Sequence, residues 1–208
     1  MDNLTTDFDL RLSQYKLLNE ERMRRALCVL RPHTRKMLNL LSLLLHYNDK
    51  RLPGARDADV PYGIDGFVPN AWQKEYLKKQ GIDPEVRSRG RYSILGLYAM
   101  GSTSSICQGI SSDLDIWVCV SSIIPEHEIF LLTEKCHFIS TFFKALGADI
   151  NLFVTADDRF ISGQHGTLDT EDCGSAQSLF LLDEFYRSSF RLSGRYIIWY
   201  MVTPQEED

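Results

Sequence analysis

The stretch from Tyr92 to Val154 constrains the fold most, because it sets short apolar runs and one long helical run in a fixed order. YSILGLYAM (92–100) and LDIWVCV (114–120) have the length and the aromatic and aliphatic content of buried strands. Pro125 opens a helix that runs to about Leu146 and is ended by Gly147; DINLFV (149–154) follows as a third strand. Beyond a polar, Gly-rich loop, the pattern predicts a helix over roughly 176–192, then YIIWYMV (196–202) as a fourth strand. Helices interleaved with strands around one sheet make the chain α/β or α+β.

Upstream the chain is helical. Leu10, Leu17, Leu18, Ala26, Leu27 and Leu30 recur near three-and-four spacing, and Glu20/Arg24 and Glu21/Arg25 form favourable pairs. Pro32 ends this helix, and a second begins near His33 and carries MLNLLSLLL, Met37 to Leu45. That run is about half the length of a bilayer span and is flanked by Arg35, Lys36 and His46, so it reads as a buried helix. A Pro- and Gly-containing loop covers 48–70, and a short helix covers 71–80 before Gly81. With 208 residues, 44% of them hydrophobic, the chain can bury a core. The expected organisation is an N-terminal helical region and loop over 1–90, packed on a core over 91–203.

Charge excludes one class of partner. The formal net charge is −5, with no long Lys/Arg block, which argues against a surface for long nucleic acid. The acidic N-terminus has no basic stretch leading into an apolar one, so no secretory signal is read and the cytoplasm is the expected compartment. Cys28, Cys107, Cys119, Cys136 and Cys173 contain no Cys-x-x-Cys pair and read as reduced, packed thiols.

The chemistry concentrates in GSTSSICQGISSDLDIWVCV, residues 101–120. Alternate strand residues share a face, so Asp113 and Asp115 project together, away from Leu114, Ile116 and Val118. Two like charges held close are costly unless a cation fills the gap, and Mg²⁺ prefers such hard oxygen ligands. If the 149–154 strand lies alongside, Asp149 becomes a third carboxylate, and three carboxylates with two metals can clamp a phosphoryl or nucleotidyl transfer. Gly101 and Ser102 would bind phosphate oxygens through a close-approaching backbone and a hydroxyl. Each feature has a plainer use: paired aspartates line loops, serines cap helices, and Asp149 is equally an exposed strand end.

The order of Gly-Ser, ten residues, Asp-x-Asp and a later strand acid resembles the nucleotidyltransferase superfamily related to DNA polymerase β. YAMGSTSS, SSDLDIWVC, EDCGSAQ, LLLDEFYRSSFRLSG, LLLHYNDKRLPG and VPYGI resemble, more closely, the N-terminal catalytic region of the bacterial class I adenylate cyclases, over nearly the whole chain. The resemblance implies an α+β fold: a nucleotidyltransferase-type mixed sheet with helices, preceded by an N-terminal helical layer. It implies cyclisation of ATP to 3′,5′-cyclic AMP and pyrophosphate, with Asp113, Asp115 and Asp149 as catalytic metal ligands for Mg²⁺, two ions, with Mn²⁺ as the alternative. Gly101 and Ser102 would hold the triphosphate, with Ser112 at its margin. Arg195 stands where the family carries a basic residue, and Arg and Lys differ there in geometry. Trp117 shares parity with the aspartates and either borders the nucleotide or packs as core. Arg187, Arg191 and His165 are further candidates. Family members also carry a C-terminal portion, implied to be regulatory and linked to the sugar phosphotransferase system, with no counterpart in this chain. The alternatives are a nucleotidyltransferase that passes NMP to a separate acceptor, and a non-catalytic ATP-binding fragment.

Overall fold

The computed structural model describes residues 2–55, 59–85, 93–100, 109, 113–156, 185 and 187–197. Helix α1 spans Asp2–Val29, and Arg24 and Arg25 both pair with Glu21, at 2.9 and 2.7 Å. Its buried stripe follows the expected positions only towards the C-terminal end. Leu10, Leu17 and Leu18 are exposed, whereas Tyr15, Asn19, Ala26 and Leu30 are buried, at separations of four, seven and four residues that keep them on one helix face. Helix α2, Pro32–His46, begins with proline in its first turn, and its Leu38–Leu45 run is buried almost all round. Arg35 of α2 donates to the carbonyls of Leu30 and Cys28, supplying the α1 C-terminus with the cation it lacks. Helix α3, Ala71–Lys79, starts at a reciprocal Asn70/Gln73 capping box.

Four strands form one mixed sheet: β1 Ile94–Met100, β2 Leu114–Val120, β3 Ile150–Ala156 and β4 Phe190–Gly194, in the order β3-β2-β1-β4. β1 is antiparallel to both β2 and β4, while β2 and β3 run parallel. A parallel pair needs a crossover, and helix α4, Glu126–Ala145, supplies it. This α+β architecture, with helices ahead of a mixed sheet, is the one expected from the sequence.

Strand alternation gives the sheet two different faces. Leu97, Ala99, Leu114, Ile116, Val118 and Ile150 join the leucines of α2 and Leu132, Ile139 and Phe143 of α4 in the larger core. The opposite face gathers Tyr98, Met100, Trp117 and Phe153 with Tyr15, Phe185, Tyr196 and Ile197. Helix α1 contributes to both, Tyr15 to the aromatic face and Ala26 and Leu30 to the aliphatic core, because it lies along the edge made by β4.

The last strand corrects the sequence expectation. Phe190–Leu192, assigned to a helix end, belong to β4, and the expected strand over 196–202 begins with Tyr196 and Ile197 outside any strand, its remainder lying outside the described residues. The cause is tertiary. Gly194, at φ +91°, passes so close to β1 that a Cβ there would collide with Gly96 Cα and the Leu95 carbonyl. Ser188 and Arg187 are helical, as expected for the end of the preceding helix. Among the described residues no helix is long and apolar enough to cross a membrane, and Cys28, Cys119 and Cys136 are outside any disulfide. Cys107 and Cys173 lie outside the described residues.

Candidate active site

Register brings the acidic residues together. The parallel β2/β3 pair sets Leu114 opposite Ile150 and Asp115 opposite Asn151, so Asp113 and Asp149 each immediately precede their strand at the same end of the sheet. A hydrogen bond from Leu114 N–H to the Asp149 carbonyl, 3.1 Å, ties the two entrances. On its other side Asp115 opposes Met100, the last residue of β1, after which the chain enters Gly101 and Ser102. Gly101, Ser102 and Ser112 themselves, with His165, lie outside the described residues.

Asp115 is half-buried on the aromatic face, between β1 and β3. Burial pushes its carboxyl above the usual range, and the charges of Asp113 and Asp149 push the same way; the hydrogen bond from Asn151 opposes them. That bond runs from Asn151 Nδ2 to Asp115 Oδ1 at 3.1 Å. Asp113 and Asp149 are exposed, and Asp149 Oδ1 faces the Lys144 ammonium at 3.7 Å, a loose pair with both side chains at least half exposed. Asp113 and Asp149 thus both act electrostatically on Asp115. Among the described residues no three His, Cys, Asp or Glu side chains converge into one metal-coordinating group. The donor set is nonetheless all carboxylate oxygen with a neutral amide behind it, chemistry suited to a hard divalent cation. Asn151 and Lys144 are the residues that sequence reasoning missed. The strand parity of Asn151 was visible, but its partner across β2/β3 was not.

A sequence model of the family described as "Adenylate cyclase NT domain" matches residues 9–200. The chain belongs to this adenylate cyclase N-terminal domain family. Relatives named "Adenylate cyclase" from Salmonella typhimurium and Escherichia coli are 41% and 40% identical over 195 residues, covering 92% of this chain. One of the same name from Yersinia pestis is 40% identical over 199 residues. The chain spans 23% of the length of these curated relatives.

Within this cyclase-family domain the other expected site residues fall elsewhere. Trp117 is 4% exposed, its ring 6.0 Å from Phe153 and 6.2 Å from Phe185, so its described surroundings are those of a core aromatic. Arg195 is hydrogen-bonded through its N–H to the Leu95 carbonyl, near the start of β1, and its guanidinium pairs with Asp65 at 2.5 Å. Asp115 sits opposite Met100 at the other end of that strand, about 17 Å away at a strand's rise per residue. The structure thus does not bring Arg195 to the carboxylates. Arg191 is committed within the fold, donating to the Gly194 carbonyl and Tyr196 Oη, both at 2.6 Å, with its guanidinium 3.7 Å from the Tyr196 ring centroid. Arg187 is exposed at the helix end before β4.

Proposed function

We propose that this chain carries the catalytic part of an adenylate cyclase, converting ATP to 3′,5′-cyclic AMP and pyrophosphate. The observation that carries the reading is the register of β2: Asp115 lies between Met100, which leads into Gly101–Ser102, and Asn151, with Asp113 and Asp149 at the entrances of the two parallel strands. The name shared by the relatives supports the reaction.

Asp113 and Asp115, with Asp149, would hold Mg²⁺, two ions or Mn²⁺ in their place. Asp113 and Asp149 are exposed and can swing to complete the site. When bound, the metal neutralises phosphate charge and lowers the proton affinity of a coordinated oxygen. Asp149 helps to activate the ribose 3′-hydroxyl by accepting its proton. The 3′-oxygen forms the new bond to the α-phosphorus, the bond from that phosphorus to the bridging oxygen breaks, and pyrophosphate leaves with the electron pair. Gly101 and Ser102 hold the triphosphate and Ser112 its margin, and Trp117 backs the pocket from the aromatic face. Arg195 lies at the far end of β1, paired with Asp65, and is not assigned to the metal-bearing end of the site. We place the activity in the cytoplasm, with ATP as the partner, and assign control by a sugar phosphotransferase component to the longer proteins of the family.

The test is product identity. The purified chain, given Mg²⁺ and α-labelled ATP, is expected to release labelled cyclic AMP and an equal amount of pyrophosphate. Label transferred to an added acceptor would indicate nucleotidyl transfer instead, and ATP binding without any product would indicate a non-catalytic module.

A further inference from the structure

We propose that Asn151 is a positioning residue that fixes Asp115 for a small divalent cation and sets a preference for Mg²⁺ over Ca²⁺, an inference that rests on Asp115 being a metal ligand as read above. Asn151 and Asp115 are register partners in the parallel β2/β3 pair, and both lie on the aromatic face. Neighbouring parallel strands hold such partners about 5 Å apart, so the amide reaches the carboxylate without distortion. Its Nδ2 donates to Oδ1 at 3.1 Å in a half-buried setting.

An ionised carboxylate accepts at both oxygens, and a fixed donor on one removes the freedom to turn. With Oδ1 held by the amide, Asp115 presents Oδ2 as its outward ligand. Mg²⁺ takes single carboxylate oxygens in a tight octahedron, whereas Ca²⁺ accepts six to eight oxygens at longer range and often takes a carboxylate through both. A carboxylate anchored through one oxygen therefore suits the smaller ion. An acid at 151 would reach the same oxygen only by adding a fourth negative charge beside Asp113, Asp115 and Asp149. The neutral amide orients without that repulsion.

The experiment measures metal binding by the intact chain without nucleotide, following Mn²⁺ by electron paramagnetic resonance with Mg²⁺ and Ca²⁺ as competitors. Asn151→Leu keeps the branched heavy-atom shape and removes the donor. It is expected to weaken Mn²⁺ and Mg²⁺ about tenfold, as loss of an outer hydrogen bond to a metal ligand does, while Ca²⁺ weakens far less, so that the Mg²⁺/Ca²⁺ ratio falls. Asn151→Ser, which retains a donor, should stay nearer the parent. If leucine disturbs the strand by circular dichroism, Asn151→Ala gives the same comparison. Equal weakening of all three ions, or no change, overturns the positioning role. Asp115→Asn separates the two readings: if it binds Mn²⁺ as the parent does, the metal-ligand reading fails and this inference with it; if it loses Mn²⁺ while Asn151→Leu does not, only the role of Asn151 fails.

Discussion

Asn19 of α1 and Arg191 of β4 exchange two hydrogen bonds: the Arg191 N–H donates to Asn19 Oδ1 at 2.6 Å, and Asn19 Nδ2 donates to the Arg191 carbonyl at 3.2 Å. A side-chain amide thus takes the place of a neighbouring strand's peptide and closes the sheet edge beside β4. Arg22, one turn on, donates to the Ser189 carbonyl at 2.9 Å, so α1 seals the segment entering β4 as well. Asn19 is 3% exposed. Asn19→Ala would leave the part-buried Arg191 N–H and carbonyl without these partners, and a loss of roughly 1–3 kcal/mol is expected. Urea denaturation should show a lower midpoint at unchanged slope, and the Arg191 amide should lose its protection from hydrogen exchange.

Gly194 is the second device holding β4 in place. Its φ of +91° and its approach to Gly96 and Leu95 leave no room for a methyl group. Gly194→Ala should cost about 2–4 kcal/mol, through strain and loss of strand pairing together. Gly147→Ala has a similar φ, +84°, but nothing within 4 Å of an added Cβ, so it should cost less. Thermal melts of the two variants test that ranking.

Lys135 is 0% exposed, and its ammonium donates to Asn48 Oδ1 at 3.3 Å. Burial pushes its pKa down to about 8. Because the folded value lies below the unfolded one, the unfolded chain binds more protons, and the penalty of the buried charge is full below about pH 8. Stability should therefore rise between pH 8 and 10.5, the span between the two values. Lys135→Met should stabilise the chain at neutral pH by about 1–3 kcal/mol and abolish that rise. Denaturation midpoints across this range check both.

His46 shows the acid-side counterpart. It is buried against Phe67, and its Nδ1 accepts the Ile64 N–H at 3.0 Å, an arrangement that requires the neutral ring. Burial lowers its pKa to about 4, again below the unfolded value. Neutral His46 keeps its full contribution above the unfolded value of 6.5, and stability is lost as pH falls from there towards 4. His46→Asn, which can still accept from Ile64, should flatten this decline in urea titrations between pH 4 and 6.5.

The elements that position the carboxylates were legible because their signals are local. β2 carries an unbroken apolar run behind its aspartates, α4 is bounded by Pro125 and Gly147, and β3 is a short, largely apolar run that follows directly on that helix. β4 was not legible. FRLSG is five residues with Arg and Ser, and it became a strand through the Gly194–Gly96 approach and the Asn19 amide, both set by residues distant in sequence. The first half of the α1 stripe was misjudged for the same reason, since the β4 edge selects Tyr15 and Asn19 over Leu17 and Leu18, while Ala26 and Leu30 are buried as expected. In the site, Asp113 and Asp115 were visible as a motif, while Asn151 needed the parallel register to acquire its partner. Arg195 was chosen by motif position, and the β4 register carries it to the other end of β1.

The central claim is that Asp113 and Asp115 act on ATP through a bound divalent cation, and steady-state cyclic AMP production by Asp115→Asn is its most direct test. The substitution keeps the side-chain shape and removes the charge, and it relieves carboxylate repulsion, so the variant should melt no lower than the parent. Turnover should nonetheless fall by at least about a hundredfold, as loss of a preorganised charged group in such a site does. A well-folded Asp115→Asn chain that makes cyclic AMP at the parental rate would contradict the account.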